Sequence, residues 1–378
     1  MSGLILDSLE VRNFRGFRHL QIERLGRVNL IVGKNNVGKT SLLEALQLYA
    51  QRTYPTLVEE IWEQLRVRDE SIDIDTSLRL ARERDVDVEK FLLSLRYLFY
   101  GRDDVRNVPD PITIGPIRSL DNVLSISIDW YTTQSDSSEG PKTRLLKPDE
   151  YDKVSNSAPR FTIKVGKQLE TVYPLWRDPL TTSRLRRSNT ADISCIFIPV
   201  DGLRQTQMGE FWNQILLRET KENDVYAALR VLAPGVERLA FTVDPRRDSI
   251  PIVKISSMDE PVPIRSLGNG MMRVLNMALA LVNLQDGMLL IDEFENGLHY
   301  SIQPDIWRLI FQVARRLNVQ VFATTHSQDC IRAFTDVSQE GQEGGLFMRL
   351  QEKKGEISAV LYDMDELRFA VDKEIEVR

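Results

Sequence analysis

Cysteine is nearly missing from this 378-residue chain: Cys195 and Cys330 are too few for a disulfide scaffold and show no metal-ligand spacing. Histidine is almost as scarce, at three (His19, His299 and His326), so a histidine at the end of a strand stands out. No stretch approaches the roughly 20 consecutive apolar residues of a membrane-spanning helix. The N-terminus lacks the basic, apolar, small order of a secretory signal. Net positive charge is absent too. Against 49 Lys and Arg stand 55 Asp and Glu, a formal charge of −6, which gives no global electrostatic case for nucleic acid but leaves room for a local basic face. There is no heptad run long enough for a coiled-coil arm, and no internal repeat. A soluble cytoplasmic protein is expected, with length for one large core or two smaller ones.

What is present is a phosphate-binding loop, Gly33-Lys34-Asn35-Asn36-Val37-Gly38-Lys39-Thr40, followed by Ser41. It comes after a β-branched apolar run, Val28 to Val32, that reads as a buried strand, and before apolar residues at helical spacing from Thr40 to Leu46. Strand, glycine loop and helix in that order are the context GxxxxGK[ST] requires. Gly33 and Gly38 let the backbone turn tightly, so that its N–H groups face phosphate oxygens. Lys39 would reach the β- and γ-phosphates, Thr40 would ligate Mg2+, and the helix N-terminus adds partial positive charge.

Far downstream, Met288 to Ile291 reads as a second buried strand, and it runs into Asp292-Glu293-Phe294-Glu295-Asn296. Carboxylates at the C-terminal end of a parallel strand point into the ligand crevice of an open α/β sheet. Asp292 is therefore the candidate to hold Mg2+ through water, and Glu293 the candidate to polarise an attacking water. A third strand, Val319 to Thr325, leads into His326, placed to contact the γ-phosphate or that water. Nucleotide site and carboxylate pair together argue for hydrolysis of ATP.

At Gly33–Thr40, Leu290–His299 and Phe322–Ser327 the chain resembles the ABC-type ATPase heads of the OLD, RecF and SMC group. Asn35, Glu295-Asn296-Gly297-Leu298-His299 and Ala323-Thr324-Thr325-His326-Ser327 narrow the likeness to OLD-type ATPases, whose stand-alone relatives occur in bacterial anti-phage systems such as PARIS and Septu. The resemblance covers about residues 3–50 and 190–335 and is weak between them. It implies an α/β P-loop NTPase fold, an ABC-ATPase head that dimerises or assembles further around ATP. A signature loop from one subunit would cap the other's γ-phosphate. Arg265-Ser266-Leu267-Gly268-Asn269-Gly270-Met271-Met272-Arg273 stands where that loop belongs; Gly268 replaces the usual serine, Ser266 lies two residues earlier, and the N–H groups of Gly268 and Gly270 remain to bind phosphate. The resemblance also brings a basic residue beside Asn13-Phe14 toward the nucleotide, with Arg15 ahead of Arg12. His299 occupies the D-loop place, for dimer contact, sensing or capping. No Q-loop residue is placed.

These motifs divide the chain into an N-terminal part of the ATPase core (1–56), an inserted helical and antiparallel β region (57–189), and a C-terminal part of the core (190–378). Residues 57–100 read as mainly helical and 112–131 as alternating strands, while Thr132 to Lys142 reads as an exposed polar loop. Ser183-Arg184-Leu185-Arg186-Arg187 is a basic cluster, a solvated loop or a phosphate-contacting patch. The segment after Cys330 is expected to be too short for the TOPRIM nuclease domain of OLD proteins. Tyr362-Asp363-Met364-Asp365 reads as a strand end and helix cap and not as a nuclease metal site. The implied function is ATP-driven dimerisation that controls a separately encoded effector, a TOPRIM-like nuclease, in anti-phage defence. The alternatives are a RecF-like repair ATPase acting directly on DNA, and a slow nucleotide-clamped scaffold.

Overall fold

Neighbouring residues of three strands enter two different cores. Leu30 and Val32 of β3 (Val28–Val32), Leu289 and Ile291 of β13 (Met288–Ile291), and Val321 and Ala323 of β14 (Gln320–Thr324) pack on one side. Ile31, Met288, Leu290 and Phe322 pack on the other. Strand side chains alternate between faces, so a strand covered on both faces is apolar nearly throughout. The buried polar residues Asn29 and Gln320 donate to backbone carbonyls.

In the computed structural model, which describes residues 3–54, 56–70, 88–106, 110–136, 140–147, 150, 157–167, 169–175, 193–243, 249–340 and 344–373, these strands belong to a six-stranded sheet. Its order is β16-β15-β3-β14-β13-β9. β9 (Cys195–Ile198) and β15 (Leu346–Lys353) run parallel to the central three, and β16 (Glu356–Tyr362) closes one edge antiparallel to β15. Because β3 lies between β14 and β15, the chain leaves it at a point where the winding reverses, which is where open α/β sheets place ligands.

Helix α1 (Lys39–Ala50) follows β3 and is buried along most of its length, consistent with its low amphipathicity. It separates the parallel sheet from a second, antiparallel one of order β2-β1-β4-β5-β7-β8, with β6 paired to β5. β1 (Leu9–Phe14) and β2 (Phe17–Ile22) come from the N-terminus; β4 (Ile112–Gly115), β5 (Leu124–Asp136), β6 (Gly140–Leu145), β7 (Ser157–Val165) and β8 (Leu169–Pro174) come from the region 57–189. The added region thus extends a sheet that the N-terminal hairpin begins, and both share one core with α1. The expectation of a loop from Thr132 to Lys142 is corrected here. Its described residues are the arms of the β5–β6 hairpin, with Thr132 opposite Arg144 and Asp136 opposite Gly140. Ladder bonds are made by the backbone, so a polar composition does not prevent them.

The helix Leu57–Val67, within the stretch read as helical, buries Leu57, Val58, Ile61 and Leu65. A three-stranded sheet, β10 (Val236–Val243), β11 (Ser249–Ile255) and β12 (Val262–Pro263), delivers the turn Ile264–Leu267 and the helix Asn269–Asn283. At the far end the Asp363 side chain accepts from Asp365 N–H and caps the helix Met364–Asp372, as read. The basic cluster 183–187 lies outside the described residues. The fold is an α/β P-loop NTPase fold with an added helical and antiparallel β region. Among the described residues no helix is long and apolar enough to cross a membrane.

Candidate active site

β3, β13 and β14 all end at the same edge; residues after β3 and β13 line one cavity of about 740 Å³, and His326, after β14, stands beside it near Glu293. Pockets of this size hold small-molecule ligands. The loop after β3 turns through Gly33 (φ 151°) and Gly38 (φ 94°). A Cβ on Gly33 would meet the Leu350 carbonyl oxygen at 2.6 Å, so a larger residue is excluded on two counts. Asn35, Asn36, Gly38, Lys39, Thr40 and Ser41 line the cavity. Val37 turns into the core instead. Lys39 Nζ donates to the carbonyls of Gly33 (2.7 Å) and Lys34 (3.1 Å). Burial pushes the Lys39 ammonium below the usual lysine range, against the opposing pull of Asp292, Glu293 and Glu295.

Asp292 joins two strand ends. Its carboxylate accepts from Thr40 Oγ1 (2.8 Å) and from Thr324 Oγ1 (2.6 Å), and it is 5% exposed. A hydroxyl and a carboxylate in contact are hard oxygen donors, and no group of three or more His, Cys, Asp or Glu surrounds a common point among the described residues. That set fits Mg2+, which is commonly held by one or two protein oxygens with phosphate and water, and it does not make an all-protein cage.

Glu293 lines the cavity beside Lys39. Its φ of 48° is left-handed, a conformation that costs a non-glycine residue about 1–3 kcal/mol. Two bonds impose it: Glu293 N–H donates to Thr324 Oγ1 (2.8 Å), and Glu293 C=O accepts from Arg273 Nη2 (2.8 Å). His326 stands nearby, its Nδ1 3.2 Å from Glu295 Oε1 and 3.8 Å from Glu293 Oε1. Glu295 also accepts from His326 N–H (3.1 Å), so this carboxylate fixes both backbone and ring. Glu295→Gln is expected to lower kcat by about tenfold with KM within about twofold, the scale on which loss of an orienting partner acts. Steady-state rates decide it; an unchanged kcat would remove Glu295 from that role.

The other sequence candidates divide. Arg15 lines the cavity but is engaged: its Nε lies 2.8 Å from Glu44 and its Nη1 2.7 Å from Glu70. Arg12 pairs with Glu10 on the surface. Ser266, Gly268 and Gly270 do not line the cavity of their own chain. Ser266 Oγ donates to the Pro263 carbonyl, and Gly270 packs on the loop after β13, where a Cβ would meet the Gly297 carbonyl at 2.8 Å. His299 caps the turn Tyr300–Ile302, accepting from Ser301 N–H.

Residues 28–329 match the family described as "AAA domain, putative AbiEii toxin, Type IV TA system". The chain belongs to this AAA-domain family. As an AAA domain it is an ATPase. It is similar to an "ATP/GTP phosphatase" of Helicobacter pylori, 24% identical over 362 residues and 89% of each chain. Over 43 residues it is 46% identical to the DNA replication and repair protein RecF of Clostridioides difficile, covering 11% of this chain and 12% of that one. An SMC head domain from Thermotoga maritima is similar with a TM-score of 0.43 and 13% identity, over 95% of this chain and 99% of that one.

Two groups of residues in this AAA domain have places that sequence reasoning does not assign. The first is Arg273, 4% exposed, whose guanidinium donates to the carbonyls of Pro199 (2.9 Å), Asp292 (2.5 Å) and Glu293 (2.8 Å). Burial lowers its pKa to about 10, which still leaves it charged at neutral pH. A signal existed: Arg273 is the sole charge in the apolar helix Asn269–Asn283. The second is the far wall of the cavity, Arg68, Glu70, Tyr97, Gly101 and Arg102, for which no motif stands in the sequence.

Proposed function

We propose that this AAA domain hydrolyses ATP at the Lys39–Asp292–Glu293 cavity, and that ATP-driven pairing of two copies controls an effector. The observation that carries the reading is the Thr40–Asp292–Thr324 chain of hydrogen bonds, which sets a metal-ligand pair and Glu293 against the lysine of a phosphate loop. Mg2+, when bound, would neutralise phosphate charge at Thr40 and Asp292. Lys39 and the N-terminus of α1 hold the phosphates. Glu293 takes the proton of a water whose oxygen adds to the γ-phosphorus while the bond to the β-phosphate oxygen breaks, giving ADP and phosphate.

Pairing is supported by exposure. The side chains of Glu293 and His326 are 39% and 53% exposed in one chain. Hydrolysis in a water-excluded site needs another surface over them. The turn Ser266–Gly270, free of its own cavity, offers N–H groups for a partner's γ-phosphate. An effector of the TOPRIM nuclease class and a role in anti-phage defence follow from the OLD-type motifs Glu295–His299 and Ala323–Ser327. Mass in solution with and without ATP tests the pairing: a shift from monomer to dimer on adding ATP and Mg2+ is expected, and an unchanged monomer that still turns over would sink it.

The short RecF match favours a second reading, a head that acts on DNA itself. It requires salt-sensitive DNA binding by this chain alone. No shift with duplex or gapped DNA at low salt would set it aside.

A further inference from the structure

The cavity is longer than its phosphate end. Lys39, Asp292 and Glu293 fix where a γ-phosphate lies, so the base of a bound nucleotide must extend along the wall contributed by other segments. That wall is made by Arg15 and Gly16, by Arg68 and Glu70, by Ile357, and by Tyr97, Gly101 and Arg102; the last of these groups supplies its aromatic ring and the cation beside it. The first and last groups are tied together: Arg15 N–H donates to Leu98 C=O (2.7 Å), and Phe14 and Phe99 form a β-bridge. Gly101 and Arg102 both adopt positive φ (82° and 58°), which turns the segment at the cavity. Arg102 then lies over the Tyr97 ring, its guanidinium carbon 5.6 Å from the centroid, while Arg96 lies 4.9 Å from it and donates to the Tyr97 hydroxyl (3.0 Å). Among the described residues the Arg102 guanidinium meets this ring and no carboxylate.

We propose that Arg102, backed by Tyr97, is the nucleobase platform of this cavity and gives it a preference for purine nucleoside triphosphates. A guanidinium supported by an aromatic ring offers a flat, weakly hydrated face on which a base stacks. A purine covers more of it than a pyrimidine does. Arg15 does not serve, because Glu44 and Glu70 hold it. This assignment rests on the nucleotide reading above and adds to it the residues that select the base.

The test compares dissociation constants of MgATP, MgCTP and inorganic tripolyphosphate for wild type, Arg102→Ala, Arg102→Lys and Lys39→Ala. Wild type should bind MgATP more tightly than either MgCTP or tripolyphosphate. Arg102→Ala should weaken MgATP by about tenfold, the scale of one lost stacking contact, and leave tripolyphosphate unchanged. Arg102→Lys keeps the charge without the plane, so it should lose the same preference. Equal weakening of ATP and tripolyphosphate in Arg102→Ala, or no change in either, would overturn the platform. If wild type binds none of the three, or if Lys39→Ala binds all three as wild type does, the nucleotide reading itself fails and the platform with it.

Discussion

Glu293→Gln is expected to leave ATP bound and to slow its hydrolysis by ~10²-fold or more, the usual contribution of a positioned general base. The argument is geometric. Glu293 is held in a left-handed conformation by Thr324 Oγ1 on its N–H and Arg273 on its C=O, and both bonds are made by backbone atoms that the substitution keeps. Glutamine therefore occupies the same place with the same size and cannot accept a proton from water. Lys39, Thr40 and Asp292 are untouched, so affinity should hold. Single-turnover rates and a nucleotide-binding curve decide between loss of chemistry and loss of binding. In the proposed pairing, the same variant accumulates an ATP-bound dimer visible as mass in solution. Wild-type turnover in Glu293→Gln would remove this carboxylate from the mechanism.

The second large effect is expected at a residue that touches neither phosphate nor water. Arg273→Met should destabilise the chain by about 3–5 kcal/mol, the scale on which three carbonyls lose a charged donor. It should also lower turnover by more than about tenfold. Methionine fills most of the volume, but the carbonyls of Pro199, Asp292 and Glu293 lose their donor. Each buried orphan costs about 1–3 kcal/mol. The Glu293 carbonyl is one of them, and with its bond goes half of what enforces that residue's conformation. Arg273→Lys should fall between, since one ammonium cannot span three acceptors as a planar fork does. Denaturation midpoints together with kcat test this; a variant with wild-type stability and rate would show that the network is dispensable.

Legibility from sequence followed burial. β3 and β13 end where their apolar runs end, and β14 lies within the run read for it, because a strand covered on both faces admits few polar residues. Asn29 and Gln320 are admitted with backbone hydrogen-bond partners. The residues at their C-terminal ends could then be assigned to one edge without coordinates. The β5–β6 hairpin was not legible, since Thr132 to Lys142 carries the composition of a loop and its pairing is made by backbone groups. Arg273 was half legible, as a charge out of place in an apolar helix. The Tyr97–Arg102 wall was not legible at all. It reaches the cavity through a bridge between Phe14 and Phe99, a long-range contact that leaves no mark in local spacing.

The bonds of Lys39 to the carbonyls of Gly33 and Lys34 make ligand capture an exchange. The ammonium is already solvated by the loop it belongs to, so an incoming anion gains only the difference between its own attraction and that of two neutral oxygens. A ligand with one phosphate charge gains little from such a swap. One with a chain of them gains more, because several negative charges attract the ammonium more strongly than two neutral oxygens do. The loop thereby favours ligands with several phosphates over those with one.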